Sequence, residues 1–173
     1  MEQLTIIPYA PQHQAAFKQI NVAWISDLFV VEPHDIEQLD HPETYILPNG
    51  GEILLAQQGT TIVGTVALIR TGADEFELAK MGILKEARGL GIGRLLCRAA
   101  VDYARQMGAK RIWLESNKKA TVAVQLYERI GFRHIPLRES PYARADVHME
   151  LLLETTTPRQ TPATNAPLLH LKD

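Results

Sequence analysis

The sequence contains one cysteine, Cys97, among its 173 residues. A single thiol cannot form an internal disulfide, which excludes a small disulfide-stapled scaffold and is consistent with a reducing compartment. Long apolar runs are also missing. No segment approaches the roughly 18 consecutive apolar residues of a membrane-spanning helix, and no apolar segment follows a basic start. We therefore expect a cytoplasmic protein without a membrane anchor.

Excess charge of either sign is absent, with a formal net charge of −2 and a pI near 6.3. Neither value favours binding to nucleic acid or to an anionic membrane. The six histidines lack the spacing of paired metal ligands, and there is no second cysteine, so we expect no metal site. A hydrophobic content of 46% suits one globular domain with a single core.

The spacing of apolar residues predicts strands and helices in mixed order. Strands are predicted at 4–8, 53–56, 62–69, 77–84, 111–116 and 147–153, and helices at 14–29, 92–107 and 121–130. Gly108 and Gly131 follow the last two helices, where a left-handed residue commonly ends a helix. The polar stretch 32–49 suggests neither helix nor strand. Residues 155–173, rich in Thr and Pro, predict a flexible tail after a single domain of residues 1–154.

A glycine-rich turn joins the strand at 77–84 to the helix that begins near Ile92. It reads Arg88-Gly89-Leu90-Gly91-Ile92-Gly93-Arg94. Glycine lets the backbone turn tightly and approach a ligand closely. The helix N-terminus adds N–H donors and a partial positive charge, and the two arginines add fixed charge. The turn therefore predicts a site for a diphosphate.

A dinucleotide-binding βαβ unit is one interpretation of this turn. Glu115, at the end of the next strand, takes the place of the acidic residue that binds the ribose. Two features disfavour it. Arg94 stands where the third glycine of the fingerprint belongs, and no series of further βα units follows.

A second interpretation rests on two motifs in a fixed order: Arg88-x-x-Gly91-x-Gly93, and Leu-Tyr-Glu-x-x-Gly-Phe at 126–132. Together they resemble the GCN5-related N-acetyltransferase (GNAT) superfamily, over roughly residues 1–153. The resemblance implies an α+β fold, a mixed, mostly antiparallel twisted sheet flanked by helices. Acetyl-CoA would lie where two central strands, 77–84 and 111–117, splay apart.

The implied activity is acetyl transfer from acetyl-CoA to a primary amine of a small molecule or amino acid derivative, by direct attack. A protein N-terminus or lysine as acceptor, and a non-catalytic acyl-CoA-binding regulator, are the alternatives. A homodimer is compatible with the resemblance. The Arg88–Arg94 turn, with Gly89, Leu90, Gly91, Ile92 and Gly93, would hold the coenzyme A pyrophosphate. Met81, Gly82, Ile83 and Asn117 would contact its pantetheine arm.

The resemblance also assigns catalytic and substrate positions. Tyr127 matches the tyrosine that protonates the leaving thiolate. Two glutamates compete as base: Glu77, which shares strand parity with Met81 and Ile83, and Glu115, twelve residues before Tyr127. Acceptor contacts are expected from Asn21 and Trp24 of the first helix and from Tyr142 and Arg144 before the last strand. Arg144 would suit a substrate carboxylate.

Overall fold

The computed structural model describes residues 2–154. Within them, one sheet contains the strands β1 (Leu4–Pro8), β2 (Glu52–Gln58), β3 (Thr61–Gly72), β4 (Glu75–Ile83), β5 (Arg111–Ser116), β6 (Arg133–Ile135) and β7 (Val147–Leu152). Their order across the sheet is β1-β2-β3-β4-β5-β7-β6. Each neighbouring pair is antiparallel except β4 and β5. The predicted mixed, mostly antiparallel sheet is therefore confirmed.

The sheet is flanked by the helices α1 (Gln14–Leu28), α2 (Pro33–Asp40), α3 (Pro42–Tyr45), α4 (Ile92–Gln106) and α5 (Thr121–Ile130). Gly108 and Gly131 follow α4 and α5 at φ +77° and +118°, as predicted for residues that end a helix. No helix in residues 2–154 is long and apolar enough to cross a membrane. The predicted tail, 155–173, lies outside the described residues.

Helices α2 and α3 occupy the stretch 32–49, for which the sequence suggested no helix. Helix α2 begins because Glu32 caps it, Pro33 fills its first position, and Asp35 Oδ2 accepts a hydrogen bond from the Glu32 N–H at 2.9 Å. The short strand β6 was also not predicted. These elements matter because α2 carries residues of the candidate site.

Two apolar clusters lie on opposite faces of the sheet. The larger joins α4 and α5 to the sheet, and Leu96 and Ile112 are fully buried in it. The smaller joins α1 and α2 to the other face through Phe17 and Leu39. Helices thus cover both faces, with α4 and α5 on one side and α1 to α3 on the other.

Strands β4 and β5 pair in parallel over three positions and then separate. The pairs are Glu75 with Arg111, Phe76 with Ile112 and Glu77 with Trp113. Beyond Glu77 the two strands no longer pair, while β4 continues along β3 and β5 continues along β7. The predicted splayed pair is therefore present, and Glu77 stands at the fork.

Strand β4 also contains a β-bulge directly after Ala79. Two residues of β4, Lys80 and Met81, oppose the single residue Val66 of β3. Lys80 has a left-handed φ of +52°, which is unusual for a residue other than glycine. The bulge therefore adds one residue to β4 relative to its partner.

The extra residue changes which β4 side chains share a face. Leu78, before the bulge, and Met81 and Ile83, after it, all pack on the cluster beneath α4. Since successive strand residues alternate, Glu77 faces the other side of the sheet. The predicted shared parity of Glu77 with Met81 and Ile83 was wrong, because one inserted residue reverses the alternation.

Candidate active site

The Arg88–Arg94 turn has the geometry of an anion cradle. Gly89 and Gly91 adopt φ +81° and +79°, and Gly91 is the cap of α4. The first α4 hydrogen bond runs from the Leu95 N–H to the Gly91 carbonyl. The N–H groups of residues 89–94 donate to no backbone acceptor among residues 2–154. Six donors thus gather at the positive end of a 15-residue helix, an arrangement that fits a diphosphate.

The flanking arginines differ in their contacts. Arg88 Nε donates to the Ile83 carbonyl at 3.4 Å, and its guanidinium lies 3.7 Å from Asp27. Arg94 is exposed on the first turn of α4. Both side chains are therefore at the surface beside the cradle, where they can reach a phosphate.

Gly82 lies on β4 directly beneath Trp24 of α1. A Cβ at this position would stand 2.6 Å from the Trp24 indole, so the close approach that requires glycine here is that of Trp24. The indole Nε1 donates to Asn21 Oδ1 at 2.9 Å, and the Asn21 amide donates to Thr65 Oγ1 at 3.1 Å. Asn21 is fully buried, so its polar atoms serve the packing of α1 on β3 and β4.

Tyr127 is buried on the inner face of α5, with 6% of its surface exposed. Its ring packs 5.8 Å from that of Phe132. Burial, and to a smaller extent the neighbouring Cys97, raises the pKa of the phenol. The hydroxyl therefore stays protonated at neutral pH and can act as a donor. Cys97 is itself fully buried, and burial raises the pKa of its thiol to about 12, which makes it a poor nucleophile.

The two glutamates predicted as bases lie on the same face of the sheet, on opposite sides of the fork. Burial, reinforced by the negative charge of Glu115, raises the pKa of Glu77 to about 7, although Lys80 opposes the rise. Glu115 accepts a hydrogen bond from Ser140 Oγ at 3.0 Å and lies 3.3 Å from His148 Nε2. A carboxylate that titrates near neutral pH is suited to accept a proton.

His148 orients toward Glu115 because of a contact on its other nitrogen. Its Nδ1 accepts a hydrogen bond from the Arg138 N–H at 2.9 Å, so the neutral ring carries its proton on Nε2. Nε2 faces Glu115 Oε1 without an aligned hydrogen bond. His148 also lines a cavity of about 540 Å³ between α5 and the segment before β7, whose lining does not include Glu77 or Glu115.

A buried ionic network lies on the face of the sheet that carries Glu77 and Glu115. Asp35 of α2 is fully buried and receives Lys80 Nζ at 2.8 Å and both terminal nitrogens of Arg144 at 2.7 Å. Lys80 Nζ also donates to the Tyr142 hydroxyl at 3.0 Å, and Arg144 contacts Glu32 at 3.1 Å. The network thus ties together α2, the β4 bulge and the segment before β7.

The pKa directions in this network follow from its contacts. Burial would raise the pKa of Asp35, but hydrogen bonds from Arg144 and Lys80 and the charge of Lys80 hold it at about 2. Burial lowers the pKa of Lys80, and the charge of Asp35 opposes that change. Burial and the charge of Asp35 raise the pKa of Tyr142. Asp35 therefore remains a fixed anion across the neutral range.

The structure brings most of the predicted site residues to one region. Met81, Gly82 and Ile83 lie on the part of β4 that has left β5. Asn117 lies just beyond β5, where its amide donates to the Arg144 carbonyl at 2.6 Å and its Oδ1 accepts the Lys119 N–H. Asn117 therefore helps to hold the segment that carries Tyr142 and Arg144.

Four residues of this region were not assigned to the site from the sequence: Asp35, Lys80, Ser140 and His148. A lysine near the middle of a mostly buried strand was a signal for Lys80, because a buried ammonium needs a carboxylate partner. The order Glu-Pro-x-Asp at 32–35 was a signal for a helix cap. Which carboxylate would meet Lys80 depends on contacts across 45 residues of sequence, which local patterns do not encode.

Comparison with known proteins identifies the fold and the family. The model of the acetyltransferase (GNAT) family matches residues 17–132. The chain belongs to the GNAT acetyltransferase family.

Curated relatives match parts of this GNAT chain. It is 34% identical over 99 residues to the probable N-acetyltransferase camello of Xenopus tropicalis, covering 56% of this chain and 45% of that protein. It is 32% identical over 114 residues to the uncharacterized N-acetyltransferase YjgM of Escherichia coli, covering 65% and 68%. The chain thus spans about half to two thirds of the length of these relatives.

Solved structures share the GNAT fold over most of the chain. A GNAT-family acetyltransferase of Staphylococcus aureus superposes with a TM-score of 0.80 at 24% identity, covering 88% of this chain and all of that one. YncA of Salmonella typhimurium, solved with acetyl-CoA as its cofactor, superposes with a TM-score of 0.66 at 18% identity, covering 88% and 95%. At these identities the likeness establishes the fold.

Within residues 2–154 of this GNAT chain, no group of three His, Cys, Asp or Glu side chains could hold a metal ion. The charged groups of the fork and of the adjacent ionic network are carboxylates, Lys80 and Arg144, and Arg88 and Arg94 flank the cradle.

Proposed function

We propose that this chain transfers the acetyl group of acetyl-CoA to the primary amine of a small molecule. The observation that carries the proposal is the position of Glu77, at the fork between β4 and β5, with a pKa near 7. The Arg88–Arg94 turn lies at the end of the same strand. A titrating carboxylate, a gap between strands and an anion cradle therefore follow one another along β4 and the turn after it.

Acetyl-CoA fits the turn, the strand gap and the carboxylate in three ways. The N–H groups of residues 89–94 suit its pyrophosphate. The unpaired edge of β4 at Met81–Ile83 can bind the pantetheine amides as an added strand would. The thioester would then reach the fork beside Glu77. That arrangement supports the assignment of Met81, Gly82, Ile83 and the turn as the cofactor-binding residues.

The reaction proposed is direct attack. Glu77 accepts a proton from the substrate ammonium, and the neutral amine nitrogen bonds to the thioester carbonyl carbon. The carbon–sulfur bond then breaks, and the leaving sulfur takes the phenol proton of Tyr127. The bonded nitrogen loses its second proton, which returns to Tyr127 through solvent, so the products are the amide and a protonated thiol. Glu115 contributes by its charge, which helps to keep the pKa of Glu77 near 7.

A thiol-release assay tests the proposal, with acetyl-CoA and a panel of amines, amino acids and peptides. We expect small amines to raise thiol release, with an acid limb in the pH–rate profile near pH 7. Glu77→Gln should lower turnover at least 100-fold and abolish that limb. Glu115→Gln should move the limb to lower pH, since it removes the charge that raises the pKa of Glu77.

Glu86→Gln, an exposed glutamate before the turn, is the control and should leave both the rate and the limb unchanged. Preferential acetylation of peptides would favour a protein acceptor instead. If no acceptor raised thiol release while acetyl-CoA still raised the melting temperature, the chain would be an acyl-CoA-binding protein without this activity.

A further inference from the structure

Within residues 2–154, the two cations of the ionic network on this face, Lys80 and Arg144, are already paired with carboxylates of the chain. Lys80 is held by Asp35, and Arg144 is held by Asp35 and Glu32. The side chains of Lys80 and Arg144 are 4% and 16% exposed, so solvent screens these pairs little. A substrate carboxylate would find neither charge available.

The paired cations leave a surplus of negative charge. Among the described residues, Glu32, Asp35, Glu115 and, once it has lost its proton, Glu77 supply four carboxylates on this face, against the cations Lys80 and Arg144 and the imidazole of His148 beside Glu115. A cationic amine that approaches Glu77 meets an attractive field. A carboxylate next to that amine would be repelled, or would have to displace Asp35 from its partners, and breaking a buried pair is costly.

We propose that Asp35 makes the acceptor site select primary amines without a neighbouring carboxylate over the corresponding amino acids. This inference rests on the proposed acetyltransferase function and assigns Asp35 as a specificity-determining residue. It replaces the expectation that Arg144 binds a substrate carboxylate. The sequence alone did not reveal that Arg144 is already paired, because its contact with Asp35 is made across 109 residues of sequence.

The geometry of Asp35 supports this role. Its two oxygens divide between the cations: Oδ1 contacts Lys80 Nζ and one terminal nitrogen of Arg144, and Oδ2 contacts the other nitrogen. Oδ2 also accepts the Glu32 N–H, which fixes the carboxylate on the first turn of α2. The Tyr142 hydroxyl accepts a hydrogen bond from Lys80 at 3.0 Å and donates one to Gln38 at 3.1 Å, and its ring lies 4.9 Å from Lys80 Nζ and 4.4 Å from Arg144 Cζ.

Matched acceptors provide the test. Tyramine with tyrosine, histamine with histidine and agmatine with arginine differ within each pair only by the carboxylate. We expect kcat/KM for the amine to exceed that for the amino acid at least 10-fold in all three pairs. A wild-type preference for the amino acids would overturn the inference while leaving the acetyltransferase function in place.

Variants then locate the cause. Asp35→Asn frees Arg144 and Lys80 and should shift the amine-to-amino-acid ratio at least 10-fold toward the amino acids, mainly through KM. Since a buried change at Asp35 can impair folding, Glu32→Gln provides a second variant. Its side chain is 19% exposed, and it should shift the ratio less but in the same direction.

Arg138→Gln is the matched control. Arg138 is an exposed arginine of the same segment, its side chain makes no ion pair with a described residue, and the ratio should not change. Circular dichroism and acetyl-CoA-induced thermal stabilisation establish that each variant is folded and binds. An unchanged ratio in a folded Glu32→Gln or Asp35→Asn protein would overturn the role of Asp35. If no acceptor in the panel were acetylated by the wild type, the proposed function itself would fail.

Discussion

Glu77→Gln should make the protein more stable at the same time as it removes the proposed base. The pKa of Glu77 rises from an ordinary value of 4.5 to about 7 in the folded chain, through burial and the charge of Glu115. Each pH unit of difference corresponds to about 1.4 kcal/mol. Ionising Glu77 therefore costs the folded state about 3 kcal/mol, and a neutral glutamine avoids this cost.

The sign of the pH dependence follows from which state holds the proton. Below about pH 4.5 the carboxyl is protonated in both states, and the substitution should change little. Between pH 4.5 and 7 the unfolded chain loses its proton first, so the wild type becomes less stable as the pH rises. Above about pH 7 the carboxyl is ionised in both states, and the wild type stays less stable than Glu77→Gln by the full amount. The stability advantage of Glu77→Gln should thus grow by about 2 to 3 kcal/mol between pH 5 and pH 8.

Urea unfolding of both proteins at pH 5, 6, 7 and 8 measures this difference directly. At pH 8 the advantage corresponds to a melting temperature about 6 to 12 °C higher for a domain of this size. Glu86→Gln should give a stability difference that does not grow with pH. A Glu77→Gln advantage that is absent, or equal at pH 5 and pH 8, would refute the assignment of a destabilising carboxylate at the fork.

Three further substitutions or treatments test separate parts of the site. Tyr127→Phe should lower turnover about 100-fold with little loss of stability, and unchanged thiol release would remove the hydroxyl from the donor role. Gly91→Ala should lower the free energy of unfolding by about 1 kcal/mol, because alanine is strained at a φ of +79°. A backbone shift that relieves this strain would move the cradle, so coenzyme A binding measured by calorimetry should weaken. Gly108→Ala carries the same strain at φ +77°, with open space around it, and should lose similar stability but keep its affinity; equal loss of affinity in both would argue against the cradle. Cys97 should resist alkylation at pH 8 in the native protein, since burial holds its pKa near 12, and rapid labelling before unfolding would contradict its burial.

The parts of the fold predicted from sequence are those determined by local patterns. Helix α4 has an apolar stripe at helical spacing and ends just before Gly108, so both its face and its end followed from the sequence. Strands β2 and β3 followed from two short apolar runs separated by a turn, where Gly59 has a φ of +60°. The glycines of the Arg88–Arg94 turn were likewise readable, because each left-handed position excludes most other residues.

The parts that could not be predicted depend on contacts between distant segments. The bulge after Ala79 has no glycine to mark it, and it reversed the predicted face of Glu77 relative to Met81. The partners of Arg144 lie on α2, in a stretch that looked like a polar connection. Glu77 was a candidate from its spacing, but its elevated pKa depends on burial and on Glu115 across the fork. The roles of Glu77, Glu115 and Tyr127 stay predictions.

The bulge in β4 has a consequence for insertions and deletions. If Lys80 were removed, Met81 would pair with Val66 and Ala79 would keep Ala67, giving a regular ladder in which each remaining side chain keeps its present face. The packing of the sheet therefore does not require this residue. Lys80 adopts a left-handed conformation, which costs the backbone about 1 to 2 kcal/mol. In return it places one ammonium group against Asp35. In relatives, the length of this strand should therefore vary together with the acid on α2.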